Sequence, residues 1–212
     1  MTEPTASIII PAYNEEATIA DVVAAVIPAG FDVLVVDDGS TDGTANAAKN
    51  AGARVIRLPD NRGKGAAYAA GLKAVDTPFV ILLDADLIGL KTEHLDVLLE
   101  PVVRGDADMT VGVFRGGRWL SDIGNRITPQ LSGQRALEAG LLRKLPGLAE
   151  SRYDVELKLT RFARQQGWRV RYVPLHGVGQ RLKEEKRGLV AGLLHRLRMY
   201  LQILKYALGP KV

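Results

Sequence analysis

Val80-Ile81-Leu82-Leu83-Asp84-Ala85-Asp86 is a run of four apolar residues leading straight into two carboxylates one residue apart. Two of the four are β-branched and the run is short, so it reads as a strand buried on both faces of a parallel sheet. The acids then sit at its carboxyl end, where open α/β sheets bind ligands. Alternation along a strand sends Asp84 and Asp86 to one side. Carboxylates so close repel, and a divalent cation removes that cost. Hard oxygen donors suit Mg2+ or Mn2+, which keep water and take other ligands from substrate phosphates. The pair reads either as a metal–diphosphate site or as a strand end finished by two solvated acids.

The pattern recurs upstream. Ser7-Ile8-Ile9-Ile10-Pro11 is an apolar run stopped by proline, followed by the loop Ala12 to Glu16 and a helix over about Thr18 to Val26, with Asn14 or Thr18 as its cap. Asp32 to Asp38 is a second buried strand ending in acids. Asp37 reads as bonding the turn that follows, and Asp42 as the cap of a helix ending near Ala51-Gly52. Arg54 to Leu58 is a third strand. Asn61-Arg62-Gly63-Lys64-Gly65 is a basic glycine-rich loop opening an alanine-rich helix up to Val75. Alternating strands and helices predict an α/β fold, a mostly parallel central sheet flanked by helices, with the functional loops on one edge.

The second half is less regular. Thr92 to Arg104 reads as helix, Ala107 to Phe114 as strand, Ser132-Gly133-Gln134-Arg135-Ala136 as a helix start or turn, and Tyr153 to Gln166 as helix. Trp168 to Val173 reads as an antiparallel or edge strand, Val178 to Gly188 as a lysine-rich loop, and Gly188 to Leu208 as a last helix. One domain over 1–212 is expected, with a nucleotide-binding half (1–90), an acceptor half (91–187) and a C-terminal amphipathic helix (188–208).

Bulk properties narrow the classes. The chain has 212 residues, 47% of them apolar, which excludes a disordered chain. Without cysteine there is neither disulfide nor thiolate metal site, in keeping with a reducing cytoplasm. Met1 to Ala6 is too short and polar for a signal peptide, and no apolar run reaches the roughly 18 residues of a membrane span. The net charge of +4 is concentrated late, between Arg161 and Arg198, which favours an anionic partner there.

Four motifs taken together resemble the family-2 glycosyltransferases of the GT-A (nucleotide-diphospho-sugar transferase) fold. They are Pro11 to Glu16, Val35 to Thr44, Asn61 to Gly65, and the DxD motif Asp84-Ala85-Asp86. Within that family the chain is most similar to polyprenyl-phosphate (dolichyl-phosphate type) mannosyl- and glucosyltransferases, and it also resembles glucosyl-3-phosphoglycerate synthase. The resemblance implies a nucleoside-diphosphate sugar donor and a Mg2+ or Mn2+ cofactor. It assigns the nucleoside to Pro11, Ala12, Tyr13 and Glu15, the base to Asp38, phosphate charge to Lys64, further nucleotide-sugar contacts to Gly63 and Ala85, and the ion to Asp84 and Asp86, with Asp86 the direct ligand. Each role has a plainer competitor: Tyr13 as a packed ring, Lys64 as a solvated loop charge.

Ser132-Gly133-Gln134-Arg135 resembles the family's acceptor loop. Arg135 suits a phosphate, since its fork takes two oxygens, or a surface salt bridge. Asp154 and Glu156 are the candidate general bases. His176 reads as a third metal ligand or as a structural histidine. Lys183 and Lys186 belong to a charged loop that serves as a lid over acceptor phosphate or stays solvated. The helix over 188–208 carries a leucine stripe opposite basic residues, fit for a membrane surface, the core or a homodimer. The expected activity is hexose transfer to a phosphate-bearing acceptor, polyprenyl phosphate by preference. A small soluble acid such as 3-phosphoglycerate is the alternative, as is a catalytically silent nucleotide-sugar-binding subunit. The expected place is the cytoplasm, with peripheral contact on the inner membrane face. Acidic strand ends argue against nucleic acid, and the lack of Gly-x-Gly-x-x-Gly after the first strand argues against a dinucleotide oxidoreductase.

Overall fold

The computed structural model describes residues 5–116, 131–152 and 154–181. The expected loop lysines Lys183 and Lys186 and the helix over 188–208 lie outside the described residues.

In chain order the elements are β1 (Ala6–Ala12), α1 (Ile19–Val26), β2 (Asp32–Asp37), α2 (Thr44–Asn50), β3 (Arg54–Arg57), α3 (Lys64–Lys73), β4 (Phe79–Leu82), β5 (Leu87–Ile88), α4 (Thr92–Val103), β6 (Met109–Arg115), β7 (Arg135–Glu138), α5 (Ala139–Arg143), α6 (Val155–Gln165), β8 (Val170–His176) and β9 (Gly179–Gln180). Seven strands form one sheet in the order β3-β2-β1-β4-β7-β6-β8. Neighbours pair in parallel except at β7, which is antiparallel to both β4 and β6. β5 and β9 form a separate two-stranded ribbon. The mostly parallel α/β sheet expected from the apolar runs is present.

Alternation along the strands feeds two cores. Ile8, Ile10, Val33, Val35, Ile81 and Leu83 pack on one face against α1 and α4. Ile9, Leu34, Val36, Val80, Leu82, Met109, Val111 and Leu137 pack on the other against α3, α5 and α6. Full burial of each such side chain contributes about 1.5–3 kcal/mol, so any one-residue register slip would swap the two faces and forfeit it.

Two elements differ from the sequence reading. Arg135-Ala136-Leu137-Glu138 is strand β7, not a helix start, because both of its edges are claimed by β4 and β6; its residues are good helix formers, and long-range pairing overrides that preference. β8 is an edge strand as expected, but parallel to β6. Thr18 stands at the cap position of α1 without a side-chain cap bond, its hydroxyl turning back to Glu15.

His94 clamps α4 to the end of β8. Its Nδ1 accepts from the Lys91 amide at 3.0 Å, and its Nε2 lies 3.1 Å from the His176 carbonyl, so Nε2 carries the proton and the ring is neutral. Burial is the main reason its pKa lies below the usual histidine value, the Glu93 carboxylate only partly offsetting it.

Two tests follow from this packing. A Cβ at Gly71 would lie 2.7 Å from Ile9 Cγ2. Gly71→Ala improves helix propensity by about 1 kcal/mol, but overpacking costs about 1–3 kcal/mol. The urea midpoint should fall; a rise would refute the close approach of α3 to β1. For His94, the folded pKa lies below the unfolded one near 6.5, so the unfolded chain binds the proton more readily. Its contribution is therefore complete above about pH 6.5 and is lost as the pH falls below that toward the folded pKa. Unfolding free energies from pH 5 to 7.5 should slope less steeply in His94→Gln than in the wild type.

Candidate active site

Parallel register brings the carboxyl ends of β1, β2 and β4 to one rim, with Ala12 beside Asp37 and Ile9 beside Leu82. Antiparallel β7 presents its amino end there, Arg135 pairing with Leu82. The turn Ser132-Gly133-Gln134 therefore arrives at the same rim.

The first two loops are locked to each other. The Asn14 amide donates to Ser40 Oγ at 2.9 Å, the Glu15 amide to Thr44 Oγ1 at 2.8 Å, and the Thr41 amide to Asn14 Oδ1 at 2.9 Å. Asn14 takes a left-handed φ of 54° to do this. Asp37 Oδ1 accepts from the Ser40 amide at 2.9 Å, as its structural reading required, and Arg57 Nε stands 3.3 Å from Oδ2. Asp42 accepts from the Thr44 amide at the start of α2, beside the cap position held by Gly43; burial pushes its carboxyl pKa up, but the hydrogen bonds from Thr44 and from the Glu16 amide together hold it below the usual carboxylate value.

Asp38 sets the next loop. Its two oxygens accept from the Arg62 and Gly63 amides at 2.9 and 2.8 Å. Gly63 has φ 98°, ψ 163°, a conformation closed to L side chains, and it delivers Lys64 as the first residue of α3. Lys64 Nζ lies 2.5 Å from Asp84 Oδ1, is hydrogen-bonded to Glu156 Oε1, and stands 5.6 Å over the Tyr68 ring. Burial pulls the ammonium pKa down, but Asp84 and Glu156 outweigh it and hold it well above its ordinary value. Burial likewise pushes the Tyr68 phenol up, and its hydroxyl has no hydrogen-bond partner among the described residues.

Asp84 also accepts from Gln134 Nε2 at 2.7 Å and Gln180 Nε2 at 2.8 Å. A Cβ at Gly133 would lie 2.5 Å from Asp84 Oδ1 and 2.7 Å from Lys64 Nζ, so only glycine lets the turn cover this pair. Asp86 is half-buried two residues on. The chain turns at Ala85-Asp86 instead of continuing as strand, so alternation does not set the directions of the two acids.

The predicted site residues separate into groups. Lys64, Asp84, Glu156, Gly133 and Gln134 come together. Tyr13, 39% exposed, and Glu15, whose Oε2 accepts from Thr18 Oγ1 at 2.9 Å, lie on the loop after β1. Pro11 and Ala12 close β1, where the Ala12 carbonyl accepts from the Asp38 amide. Asp154 faces elsewhere: it accepts from the Arg152 amide and pairs with Lys158 at 3.1 Å. Arg135 is 1% exposed and bonds inside the protein, so it is neither a surface salt bridge nor open to a phosphate. His176 is exposed, and among the described residues no three His, Asp or Glu side chains gather as a metal-binding group; its role as third ligand is not seen. Tyr68 was not singled out in the sequence, although its place one helical turn after Lys64 is the signal that marks it. Gln180 was not, since only the β5–β9 pairing brings it to Asp84.

Asp84 and Asp86 offer hard carboxylate oxygens beside a charged lysine, a donor set that fits Mg2+ or Mn2+ if phosphate and water complete the sphere.

The family profile for Glycosyl transferase family 2 matches residues 7–145. The uncharacterized glycosyltransferase Rv0539 of Mycobacterium tuberculosis is 30% identical over 216 residues, 92% of this chain and 97% of that one. Glucosyl-3-phosphoglycerate synthase of the same organism is 35% identical over 121 residues, covering 52% of this chain but only 37% of the synthase. A crystal structure of that synthase with Mn2+ and uridine-diphosphate-glucose superposes with a TM-score of 0.77 at 27% identity, covering 99% of this chain and 80% of the other. Further structures of it hold Mn2+, uridine-diphosphate-glucose and phosphoglyceric acid together, or Mg2+ with uridine-diphosphate.

Removing the shared cation tests the site. Lys64→Met strands Asp84 and Glu156 without it. The loss should be about 3 kcal/mol, near the low end for breaking a buried pair. Guanidinium unfolding within about 0.5 kcal/mol of wild type, the range usual for surface substitutions, would show the cluster to be solvated.

Proposed function

Since this chain belongs to Glycosyl transferase family 2, we propose that it moves a hexose from a uridine-diphosphate sugar, with Mg2+ or Mn2+, to a small phosphate-bearing acceptor. The observation that carries this reading is the rim cluster of Asp84, Lys64 and Glu156 covered by Gly133. The structural likeness to a synthase crystallised with uridine-diphosphate-glucose, Mn2+ and phosphoglyceric acid supports the donor, the ion and the acceptor class.

Asp86, with Asp84 beside it, would hold the ion, whose chemistry when bound is to neutralise the departing diphosphate. Lys64 adds a fixed positive charge in a half-dry setting, where it acts more strongly than in water. Pro11, Tyr13 and Glu15 form the nucleoside side of the rim. Asp38 shapes the glycine-rich loop through two amides and reaches the base only with what lone pairs remain. Glu156 is the candidate base that faces Lys64, placed to take the acceptor hydroxyl proton as its oxygen bonds the sugar carbon and the diphosphate leaves. Arg62 and Arg152 are exposed beside Gly63, and among the described residues neither guanidinium has a hydrogen bond or ion pair; they suit an acceptor phosphate or carboxylate. A polyprenyl phosphate would draw on Lys183, Lys186 and 188–208, all beyond the described residues. Among the described residues no helix is long and apolar enough to cross a membrane.

Thermal melting with UDP, UDP-glucose, GDP and GDP-mannose, with and without Mn2+, tests the donor and the ion. A ligand at 100 times its Kd stabilises by about 2.7 kcal/mol. The uridine nucleotides should raise the midpoint only with Mn2+, and Asp86→Ala should abolish the rise. UDP release should then be faster with 3-phosphoglycerate than with polyprenyl phosphate in detergent. A metal-independent shift, or the reverse acceptor order, would sink the reading.

A further inference from the structure

Arg135 occupies the first position of β7 and is the bulkiest of the fully buried side chains. Burial lowers its pKa, yet a guanidinium remains charged in proteins. Placing such a cation in the core is costly, and an apolar residue of similar volume would fill the space more cheaply. Its bonds show what the charge achieves. Nε donates to the Ser132 carbonyl at 2.9 Å and Nη2 to the Glu156 carbonyl at 3.1 Å, while Nη1 lies 3.7 Å from Met109 Sδ. The Glu156 carbonyl takes a second donor, Thr160 Oγ1, at 2.8 Å.

Those two carbonyls belong to the segments that carry opposite ends of the catalytic cluster. The Ser132 hydroxyl shares its one proton between the Gly112 carbonyl at 2.6 Å and Gln134 Oε1 at 2.8 Å, and Gln134, two residues along the same turn, donates through Nε2 to Asp84. The carboxylate can only accept, which fixes the Gln134 amide orientation. Asp84 meets Lys64, Lys64 meets Glu156, and the Glu156 carbonyl returns to Arg135. These contacts, with the short Ser132–Gln134 turn, close a circuit through six residues: Arg135, Ser132, Gln134, Asp84, Lys64 and Glu156.

We propose that Arg135 is a positioning residue for sugar transfer: its planar fork sets the distance between the Glu156 carboxylate and the Asp84–Lys64 pair, without touching substrate. Lysine keeps the charge but has no fork, so it cannot hold both carbonyls in one geometry. The inference rests on the transferase reading and adds to it a cause for the placement of Glu156.

The test is a double-mutant cycle on the full chain with Mn2+ and UDP-glucose, read as kcat, KM and the calorimetric Kd for UDP. Arg135→Lys should lower kcat by about 10- to 100-fold, the scale of a misplacement near 1 Å, while the Kd for UDP moves by less than about 3-fold, the signature of an interaction used only at the transition state. In a Glu156→Gln background the same substitution should cost less than about 2-fold, because residues acting through one another are non-additive. Gln134→Leu opens the circuit on the other side and leaves both carbonyls bonded to Arg135; it should show the same split and serves if Arg135→Lys does not fold. Equal losses in both backgrounds, or a raised KM with kcat kept, overturn the proposal. A wild-type chain that binds no uridine nucleotide overturns the transferase reading itself, and the role of Arg135 goes with it.

Discussion

Two carboxylates from distant parts of the chain, Asp84 at the end of β4 and Glu156 in the first turn of α6, meet on the single ammonium of Lys64. In a partly dry site such charges attract strongly when paired and are costly when stranded. The surrounding geometry serves that meeting. Asp38 holds the two loop amides that set the start of α3, Gly63 takes the left-handed turn, and Lys64 emerges as the first helical residue. Gly133 lacks the Cβ that would collide with the pair. Gln134 and Gln180 fill further positions on Asp84.

The sheet makes this irregular rim tolerable. Each strand of the parallel half buries alternate residues in two separate cores, so register is set from both sides. The loops above can then adopt strained or polar arrangements, such as the left-handed Asn14, at small expense to the whole. Reversal at β7 matters for the chemistry. It carries the Ser132–Gln134 turn to the rim where β4 ends, so that turn and Asp84 face each other across two neighbouring strands. The resemblance to family-2 glycosyltransferases thus extends from short motifs to the fold.

Most of the first half was legible from local patterns. Apolar runs marked β1, β2 and β4, stopped by proline in the first and by acids in the other two. Asp37 was readable as a turn residue because its partner lies three positions along the chain. Asp42 was read as the cap of α2, but Gly43 takes the cap position and Asp42 bonds the Thr44 amide from one residue further out. The second half was harder. Arg135 looked like an exposed phosphate ligand, since arginine is rarely buried, and Asp154 and Glu156 looked equivalent. They differ because Asp154 faces Arg152 and Lys158 near the start of α6, whereas Glu156 turns toward α3.

What the sequence by itself determined was the set of strand ends and loops that could carry chemistry, because hydrophobic period and turn residues act over a few positions. What only the tertiary structure decided was which polar side chains meet: Lys64 with Glu156, Gln134 and Gln180 with Asp84, and Arg135 with two carbonyls. Those contacts join residues far apart in the chain, and a buried charge has no local signature. Its partner is chosen by the packing of elements, and the same arginine reads alike in solvent or in a core until the strands on both sides of it are in place.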